Sequence, residues 1–244
     1  MTYTCFDVET KDDIAHIRMI RPDKANSMIP EFWDELPQIV NQLSDGNDAR
    51  AIVLSAEGRH FCSGMDLSVF ADNNDVSVQS NAKHISRQRA SFRTTALQLQ
   101  RTFSCLEESR LPVLSAIQGA CIGGGIDMVS ATDLRYATKD AFFCIQEINI
   151  GMTADVGTLQ RMPKLVPEGV VRELAYTGRN MSASEAKERG FVNDAHRRHV
   201  IGREHARRHE GEQLEQVAVD FVARGQREDV RAELVQENAC LVAL

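Results

Sequence analysis

The segment PVLSAIQGACIGGGIDMVSATDLRYAT, residues 112–138, decides the predicted fold. It begins with the apolar run Pro112–Ile117, whose length and composition predict a buried strand. The glycines Gly123–Gly125 follow, and the apolar residues from Ile126 onwards predict a helix. Leu134–Ala137 predicts the next strand. A strand, a glycine turn, a helix and another strand in succession are typical of an α/β protein.

The alternation of strands and helices continues on both sides of this segment. Two alternating runs, Thr2–Glu9 and Ile14–Ile20, predict strands joined by a turn at Lys11–Asp13, and Ala51–Ala56 predicts a buried strand. Helical spacing predicts further helices from Pro30 to Leu43, His84 to Glu107, Val156 to Val166 and Gly169 to Tyr176. The capping signature SASE (182–185) predicts one more helix, which stops at Gly190. The polar stretch Val69–Asn81 predicts a loop.

Composition excludes several classes of protein. A chain of 244 residues allows one or two domains. The net charge of −7 argues against a nucleic-acid-binding protein, and the apolar runs are too short to span a bilayer. The six cysteines form no CxxC pair, which favours buried thiols in a reducing compartment over disulfides or a metal site. Strand-like residues from Thr2 onwards leave no room for a leader, so we expect a cytoplasmic protein.

Two glycine-containing turns each follow a predicted buried strand. HFCSGMDL (60–67) follows the strand at 51–56, and QGACIGGGID (118–127) follows the strand at 112–117. Such turns let backbone N–H groups point at a ligand, and the N-terminus of a helix favours negative charge. Two convergent N–H groups can stabilise the oxyanion that forms when a proton is removed next to a carbonyl. A tight turn with close helix packing is the alternative interpretation.

Three carboxylates are candidates for proton transfer. Asp127 lies three residues after Gly124, so the two share a helix face. Glu147 and Asp155 follow in a segment that is otherwise rich in apolar residues. Carboxyl groups in apolar surroundings have raised pKa values and can exchange protons near neutral pH. The alternative for each residue by itself is a surface carboxylate or a helix cap.

At these residues the sequence resembles the crotonase family of enoyl-CoA hydratases and isomerases. Five ordered blocks carry the resemblance: RPDKANSM (21–28), HFCSGMDL (60–67), IQGACIGGGIDMVSATDLRYAT (117–138), FCIQEINIGMTADVGTLQRMPKLV (143–166) and TGRNMSASEAKERGFV (177–192). The resemblance implies a ββα spiral with two roughly perpendicular sheets and C-terminal helices, assembled as a homotrimer or a dimer of trimers. It implies a coenzyme A thioester as the substrate, with no separate cofactor, metal, nucleic acid or membrane.

The resemblance also assigns site residues, motif by motif. The oxyanion N–H groups fall on Met65 and Gly124. The positions that line the coenzyme A moiety fall on Lys24, Ala25, Asp66, Leu67 and Gly123.

The acidic residues imply a reaction. Enoyl-CoA hydratases usually carry Glu at the positions matching Asp127 and Glu147, whereas here the first is Asp and Asp155 adds a third carboxylate. This pattern resembles the Δ3,5-Δ2,4-dienoyl-CoA isomerases of fatty-acid β-oxidation, which move a proton from C2 to C6 of a dienoyl-CoA. Glu147 then acts at C2, Asp155 protonates C6, and Asp127 orients or polarises the site. The roles of Glu147 and Asp155 can also be exchanged.

Other functions stay open at this point. The first is an enoyl-CoA hydratase that uses Asp127 and Glu147 as its acid and base. The second, from a different class, is an inactive acyl-CoA binder. A nucleotide-phosphate site is disfavoured, because the triple glycine matches neither GxGxxG nor a Walker loop.

The end of the chain departs from the family pattern. Residues 1–192 are predicted to form the crotonase-like catalytic core. The run HRRHVIGREHARRHEGEQLE (196–215) replaces the Lys- and Ala-rich stretch usual in the family. We therefore expect an atypical C-terminal helical segment over residues 193–244, from either a divergent end or an altered reading frame.

Overall fold

The computed structural model describes residues 2–66, 68 and 85–196. The loop predicted at Val69–Asn81 lies outside the described residues. So does Leu67, one of the positions predicted to line the coenzyme A moiety. Most of the segment predicted as C-terminal helices, residues 197–244, lies outside them as well.

The larger sheet has six strands in the described part of the chain. They are β1 (Phe6–Lys11), β2 (Ile14–Met19), β3 (Ala51–Ala56), β4 (Val113–Ile117), β6 (Leu134–Thr138) and β9 (Asp194–His196), in the spatial order β1-β2-β3-β4-β6-β9. β1 and β2 are antiparallel, and every other neighbouring pair is parallel. β3 and β4 are almost entirely buried, as apolar runs in a parallel sheet should be.

The smaller sheet has three strands and borders the glycine turn. They are β5 (Ala120–Ile122), β7 (Phe142–Cys144) and β8 (Met181–Ser182), with β7 parallel to β5 and antiparallel to β8. β4 and β5 are separated by only Gln118 and Gly119, so the chain passes from one sheet to the other just before the triple glycine.

Six α-helices have described bounds: α1 (Pro30–Asp45), α2 (Ile85–Glu108), α3 (Gly124–Ser130), α4 (Thr158–Arg161), α5 (Glu168–Thr177) and α6 (Ala183–Arg189). Short 3₁₀ turns occupy Pro22–Lys24, Glu147–Ile150 and Met162–Lys164. Pro30 is the first residue of α1, where its missing N–H costs nothing. The Ser182 hydroxyl accepts a hydrogen bond from the Glu185 amide (3.2 Å), which confirms the predicted cap of α6.

The structure differs from the predicted elements at several positions. The first strand begins at Phe6 rather than at Thr2. Asp194–His196 form β9, within the segment predicted to be helical from residue 193. Asp12 and Asp13 alone form the first turn, both with positive φ, so Lys11 belongs to β1. The helix predicted over Val156–Val166 is shorter, because Gly157 is the N-cap of α4 and Pro163 lies in the 3₁₀ turn that follows it. α3 begins at Gly124 rather than Ile126, since glycine is tolerated in the first turn of a helix.

One continuous apolar core joins the larger sheet to the helices. Phe32 of α1 stacks against Phe6 of β1 and contacts Phe103 of α2 edge-on, and all three are fully buried. Burying such rings contributes about 2–3 kcal/mol each. The core fixes α2 and the carboxyl ends of β3 and β4, where both glycine turns begin.

Candidate active site

The HFCSGMDL turn lies directly beside the glycine turn that precedes α3. The Cys62 amide donates to the Ala120 carbonyl, and the Cys62 carbonyl accepts from the Ile122 amide, both at 3.0 Å. Gly64 has φ +85°, and a β-carbon there would lie 3.0 Å from the Ile122 carbonyl oxygen and 3.4 Å from the Gly124 nitrogen. Position 64 therefore requires glycine both for its backbone conformation and for this close approach.

The Met65 and Gly124 amides are both open in the described structure. The Met28 amide donates to the Gly64 carbonyl, and the Asp66 amide donates to the Met28 carbonyl, both at 2.9 Å. Since successive amides of an extended segment point to opposite sides, the Met65 amide faces away from Met28. Gly124 is the first residue of α3 and has no intrahelical acceptor. Neither amide donates a hydrogen bond to another described residue.

Asp127 is buried at the start of α3, with only 1% of its surface exposed. One oxygen of its carboxylate accepts a hydrogen bond from the Thr158 amide at 2.6 Å. Burial raises the pKa of Asp127 to about 6, and the hydrogen bonding from Thr158 limits the rise. The nearby negative charge of Asp155 raises this pKa further, and Arg161 lowers it. Asp127 therefore titrates close to neutral pH.

Glu147 opens the 3₁₀ turn after β7 and faces the glycine turn. Its Oε1 lies 3.5 Å from the position that a β-carbon on Gly123 would take. Its Oε2 is buried and has no hydrogen-bond partner in the described structure. Burial raises the pKa of Glu147 to about 7, with further contributions from the negative charges of Asp127 and Asp155. This carboxyl group is therefore available as either a base or an acid at neutral pH.

Asp155 differs from the other two acids because it is exposed. Its backbone carbonyl accepts a hydrogen bond from the Gln100 side chain of α2 at 2.8 Å, which ties the segment between the 3₁₀ turn and α4 to α2. Its charge acts on both Asp127 and Glu147. The structure thus brings the three predicted acids within electrostatic reach of one another, two of them buried or half-buried and one open to solvent.

The residues matched to the coenzyme A moiety lie before α1 and in the adjoining turn. Lys24 ends a 3₁₀ turn, and Ala25 has φ +48°. The Ala25 carbonyl accepts a hydrogen bond from the Ser63 amide at 3.0 Å. Gly123, with φ +54°, lies between β5 and α3.

Asp66 is held in place by hydroxyl groups. Its carboxylate accepts hydrogen bonds from the Ser68 hydroxyl (2.7 Å) and the Ser27 hydroxyl (2.8 Å). These bonds, the one from Ser68 first, together with the smaller effect of the Arg21 guanidinium lower the pKa of Asp66 to about 2. The carboxylate therefore stays ionised and links Asp66 to Ser27 and Ser68.

Comparisons with known proteins identify the family. The family model for enoyl-CoA hydratase/isomerase matches residues 9–224. The chain belongs to the enoyl-CoA hydratase/isomerase family. Among curated relatives, the mitochondrial Δ(3,5)-Δ(2,4)-dienoyl-CoA isomerase of Rattus norvegicus is 42% identical over 180 residues, which is 73% of this chain and 54% of that protein. The peroxisomal Δ(3,5)-Δ(2,4)-dienoyl-CoA isomerase of Arabidopsis thaliana is 39% identical over 183 residues, 75% of this chain and 65% of that protein.

Solved structures of the family share the fold. An enoyl-CoA hydratase from Bacillus anthracis superposes with a TM-score of 0.72 at 25% identity, covering 99% of this chain and 91% of that chain. An enoyl-CoA hydratase/isomerase from Cupriavidus metallidurans gives a TM-score of 0.73 at 25% identity, covering 89% of this chain and 72% of that chain. The predicted crotonase fold is therefore confirmed. The matched stretch spans about half the length of the rat isomerase and about two thirds of the plant one.

Sequence reasoning missed three polar residues that support the family site. Asn26 is buried, and its side chain donates to the carbonyls of Glu57 (2.9 Å) and His60 (3.0 Å), which fixes the turn beside Ala25. Thr158 and Arg161 lie in α4, next to the acids. Their signal in the sequence is the GTLQR run (157–161), which begins two residues after Asp155.

Within residues 2–66, 68 and 85–196, no group of three or more His, Cys, Asp or Glu side chains is arranged to hold a metal ion. Across the same residues, no helix has the length and apolar character needed to cross a membrane.

Proposed function

We propose that this chain is a Δ3,5-Δ2,4-dienoyl-CoA isomerase. The observation that carries the proposal is the third carboxylate: Asp155 lies close enough to Asp127 and Glu147 for its charge to raise the pKa of both. A hydratase needs one pair of acids around a single water, whereas a shift of two double bonds needs proton transfer at two distant carbons. The curated relatives named as dienoyl-CoA isomerases support the same reaction.

The first step removes a proton from C2 of the 3,5-dienoyl thioester. The ionised Glu147 takes this proton, and the electron pair of the C2–H bond enters the conjugated system. Negative charge then develops on the thioester oxygen. In this proposal the Met65 and Gly124 amides donate hydrogen bonds to that oxygen, and one such donor is worth about 3–4 kcal/mol in a well-studied hydrolase.

The second step delivers a proton to C6. Asp155 in its protonated form donates this proton, the C6–H bond forms, and the two double bonds come to rest at C2 and C4. Glu147 ends the cycle protonated and Asp155 ionised, and exchange with water resets both. Asp127, held by the Thr158 amide, orients and polarises the site. The exchanged assignment gives C2 to Asp155 and C6 to Glu147.

The test is a spectrophotometric assay with 3,5-dienoyl-CoA and, in parallel, crotonyl-CoA. We expect absorbance of the conjugated 2,4-dienoyl thioester to appear with the first substrate at least tenfold faster than crotonyl-CoA absorbance disappears. Loss of crotonyl-CoA absorbance alone would replace the proposal with enoyl-CoA hydration. Binding of both thioesters without turnover would identify an inactive acyl-CoA binder.

Enoyl-CoA hydration is the second candidate, and family membership favours it. Asp127 and Glu147 both titrate near neutral pH and flank the glycine turn, as a pair that holds one water would need to. In that reaction Asp155 has no direct role. The Asp155→Asn variant would then hydrate crotonyl-CoA at the wild-type rate.

The oligomeric state and the cellular location of the enzyme are further parts of the proposal. We infer a homotrimer or a dimer of trimers that acts in the cytoplasm on acyl-CoA thioesters from fatty-acid β-oxidation. The relatives are named as mitochondrial and peroxisomal proteins, so fractionation of cells that produce the chain tests the location. Analytical ultracentrifugation tests the assembly, and a monomer would overturn it.

A further inference from the structure

One face of α2 carries three polar side chains that contact either α4 or the segment leading into it. Gln100, Ser104 and Glu107 are spaced four and three residues apart, so they lie on one side of the helix. The Gln100 amide donates to the Asp155 carbonyl at 2.8 Å. Ser104 and Glu107 both accept hydrogen bonds from Arg161 of α4.

Arg161 is the centre of this contact. Its Nε donates to the Glu107 carboxylate (3.0 Å), its Nη2 to the Ser104 hydroxyl (3.0 Å), and its Nη1 to the Val156 carbonyl (3.2 Å). Only 8% of its surface is exposed. A planar guanidinium can satisfy three acceptors in a fixed geometry, which a lysine ammonium at the same place cannot do as well.

Gly157 makes room for the guanidinium. It has φ +135°, and a β-carbon there would lie 1.6 Å from Nη1 of Arg161. The guanidinium therefore covers the backbone between Asp155 and Thr158. Because the Thr158 amide donates to Asp127 at 2.6 Å, the same short segment supplies one acid and holds a second.

We propose that Arg161 is a positioning residue that binds segment 155–158 to the polar face of α2 and so keeps Asp155 and the Thr158 amide in place relative to Asp127. It touches no reacting atom. The inference rests on the proposed function for its kinetic consequence, but the positioning itself does not depend on which thioester reacts. A displacement of about 1 Å at a reacting group can cost about 100-fold in rate.

The first experiment compares Arg161→Met and Arg161→Lys with the wild type in steady-state kinetics. We expect kcat for 3,5-dienoyl-CoA to fall by about 10- to 100-fold in Arg161→Met, with KM within threefold, because the coenzyme A positions are on other segments. Arg161→Lys should recover part of the lost kcat. The matched control is Arg172→Met, which removes an exposed arginine paired with Glu168 on α5 and should leave kcat unchanged.

The second experiment is hydrogen-exchange mass spectrometry of the same variants without substrate. Arg161→Met should lose protection over residues 153–161, while the strands of the larger sheet keep theirs and the Arg172→Met control matches the wild type. If Arg161→Met does not fold, the double variant Ser104→Ala/Glu107→Gln keeps the arginine, removes the Ser104 acceptor and neutralises the carboxylate at position 107. That variant should lower kcat at least fivefold at unchanged KM.

The outcomes separate the two proposals. A wild-type kcat in Arg161→Met, or equal losses of kcat and thioester affinity, overturns the positioning role. If the wild-type chain does not isomerise dienoyl-CoA, the proposed function fails alone. The exchange experiment then decides, since unchanged protection at 153–161 overturns the inference whatever the reaction is.

Discussion

At the residue scale, the environments of the three acids divide them into two kinds. Asp127 and Glu147 are withdrawn from water, and burial raises their pKa values to about 6 and about 7. Asp155 is exposed to solvent. A site with two neutral-range acids and one exposed acid can take a proton at one position and return one at another.

Replacing Asp155 by asparagine tests the third acid. Asparagine keeps the shape of the side chain but cannot donate a carboxylic proton, so we expect dienoyl-CoA isomerisation to fall by at least about 100-fold. Steady-state assays of the purified variant measure this. The control is Asp45→Asn at the exposed end of α1, and full activity in Asp155→Asn would remove Asp155 from the mechanism.

Because the Glu147 carboxylate is partly buried, we expect its ionisation at high pH to lower the stability of the folded protein. Its pKa in the folded protein, about 7, lies above the ordinary glutamate value of 4.5. The folded state therefore binds this proton more tightly than the unfolded state does. The resulting loss of folding stability is absent below pH 4.5 and grows as the pH rises through 7. Glu147→Gln should raise the melting temperature at pH 8 by about 2–5 °C.

The same measurement at pH 5 should give a much smaller difference. Glu188→Gln, which changes an exposed glutamate of α6, is the matched control and should leave the melting temperature unaltered at both pH values. An equal effect of Glu147→Gln at pH 5 and pH 8 would contradict the raised pKa of Glu147.

At the element scale, the site depends on two turns that meet between β5 and α3. The sequence predicts both turns, because each follows an apolar strand and contains glycine. It does not predict β5, whose three residues are too few for a periodic signal, nor the isolated β-bridge between Cys62 and Cys121. The contact between the turns is a long-range hydrogen-bond pattern, and nothing local in either segment specifies it.

Gly64→Ala tests that contact. The substitution meets a positive φ and a carbonyl oxygen 3.0 Å from the new β-carbon, so we expect the loop to shift and kcat to fall at least tenfold. Gly169→Ala, in the first turn of α5, meets nothing within 4 Å and should leave kcat unchanged, with stability raised by up to about 1 kcal/mol. Equal kinetics in the two variants would contradict the role of the turn.

The sequence pattern predicts the bounds of the long helices more closely than it predicts the segments between them. The helical spacing over residues 84–107 predicts both ends of α2 to within a residue. The SASE capping signature (182–185) predicts the start of α6. The run from Val156 to Val166 has helical spacing as well, but Gly157 and Pro163 break it. The resulting short α4 directs Arg161 back onto α2, and this contact has no local signature beyond the residue types.

At the scale of the whole molecule, the fold gathers acids that are far apart in sequence. Asp127 comes from α3, Glu147 from the turn after β7, and Asp155 from the segment before α4. The residue types suggest proton transfer, but composition and spacing alone cannot show that they meet. The resemblance of five ordered blocks supplied that expectation, and the charge interactions among the three carboxylates agree with it.

The most direct test of the account is isomerisation of 3,5-dienoyl-CoA in deuterium oxide, with the product analysed by NMR. If Glu147 removes the C2 proton and the exposed Asp155 supplies the C6 proton, the 2,4-dienoyl-CoA formed in a single turnover should carry one solvent deuterium at C6. A product with protium at C6 would mean that one carboxyl group carries the proton from C2 to C6, and it would contradict the division of labour between the two acids.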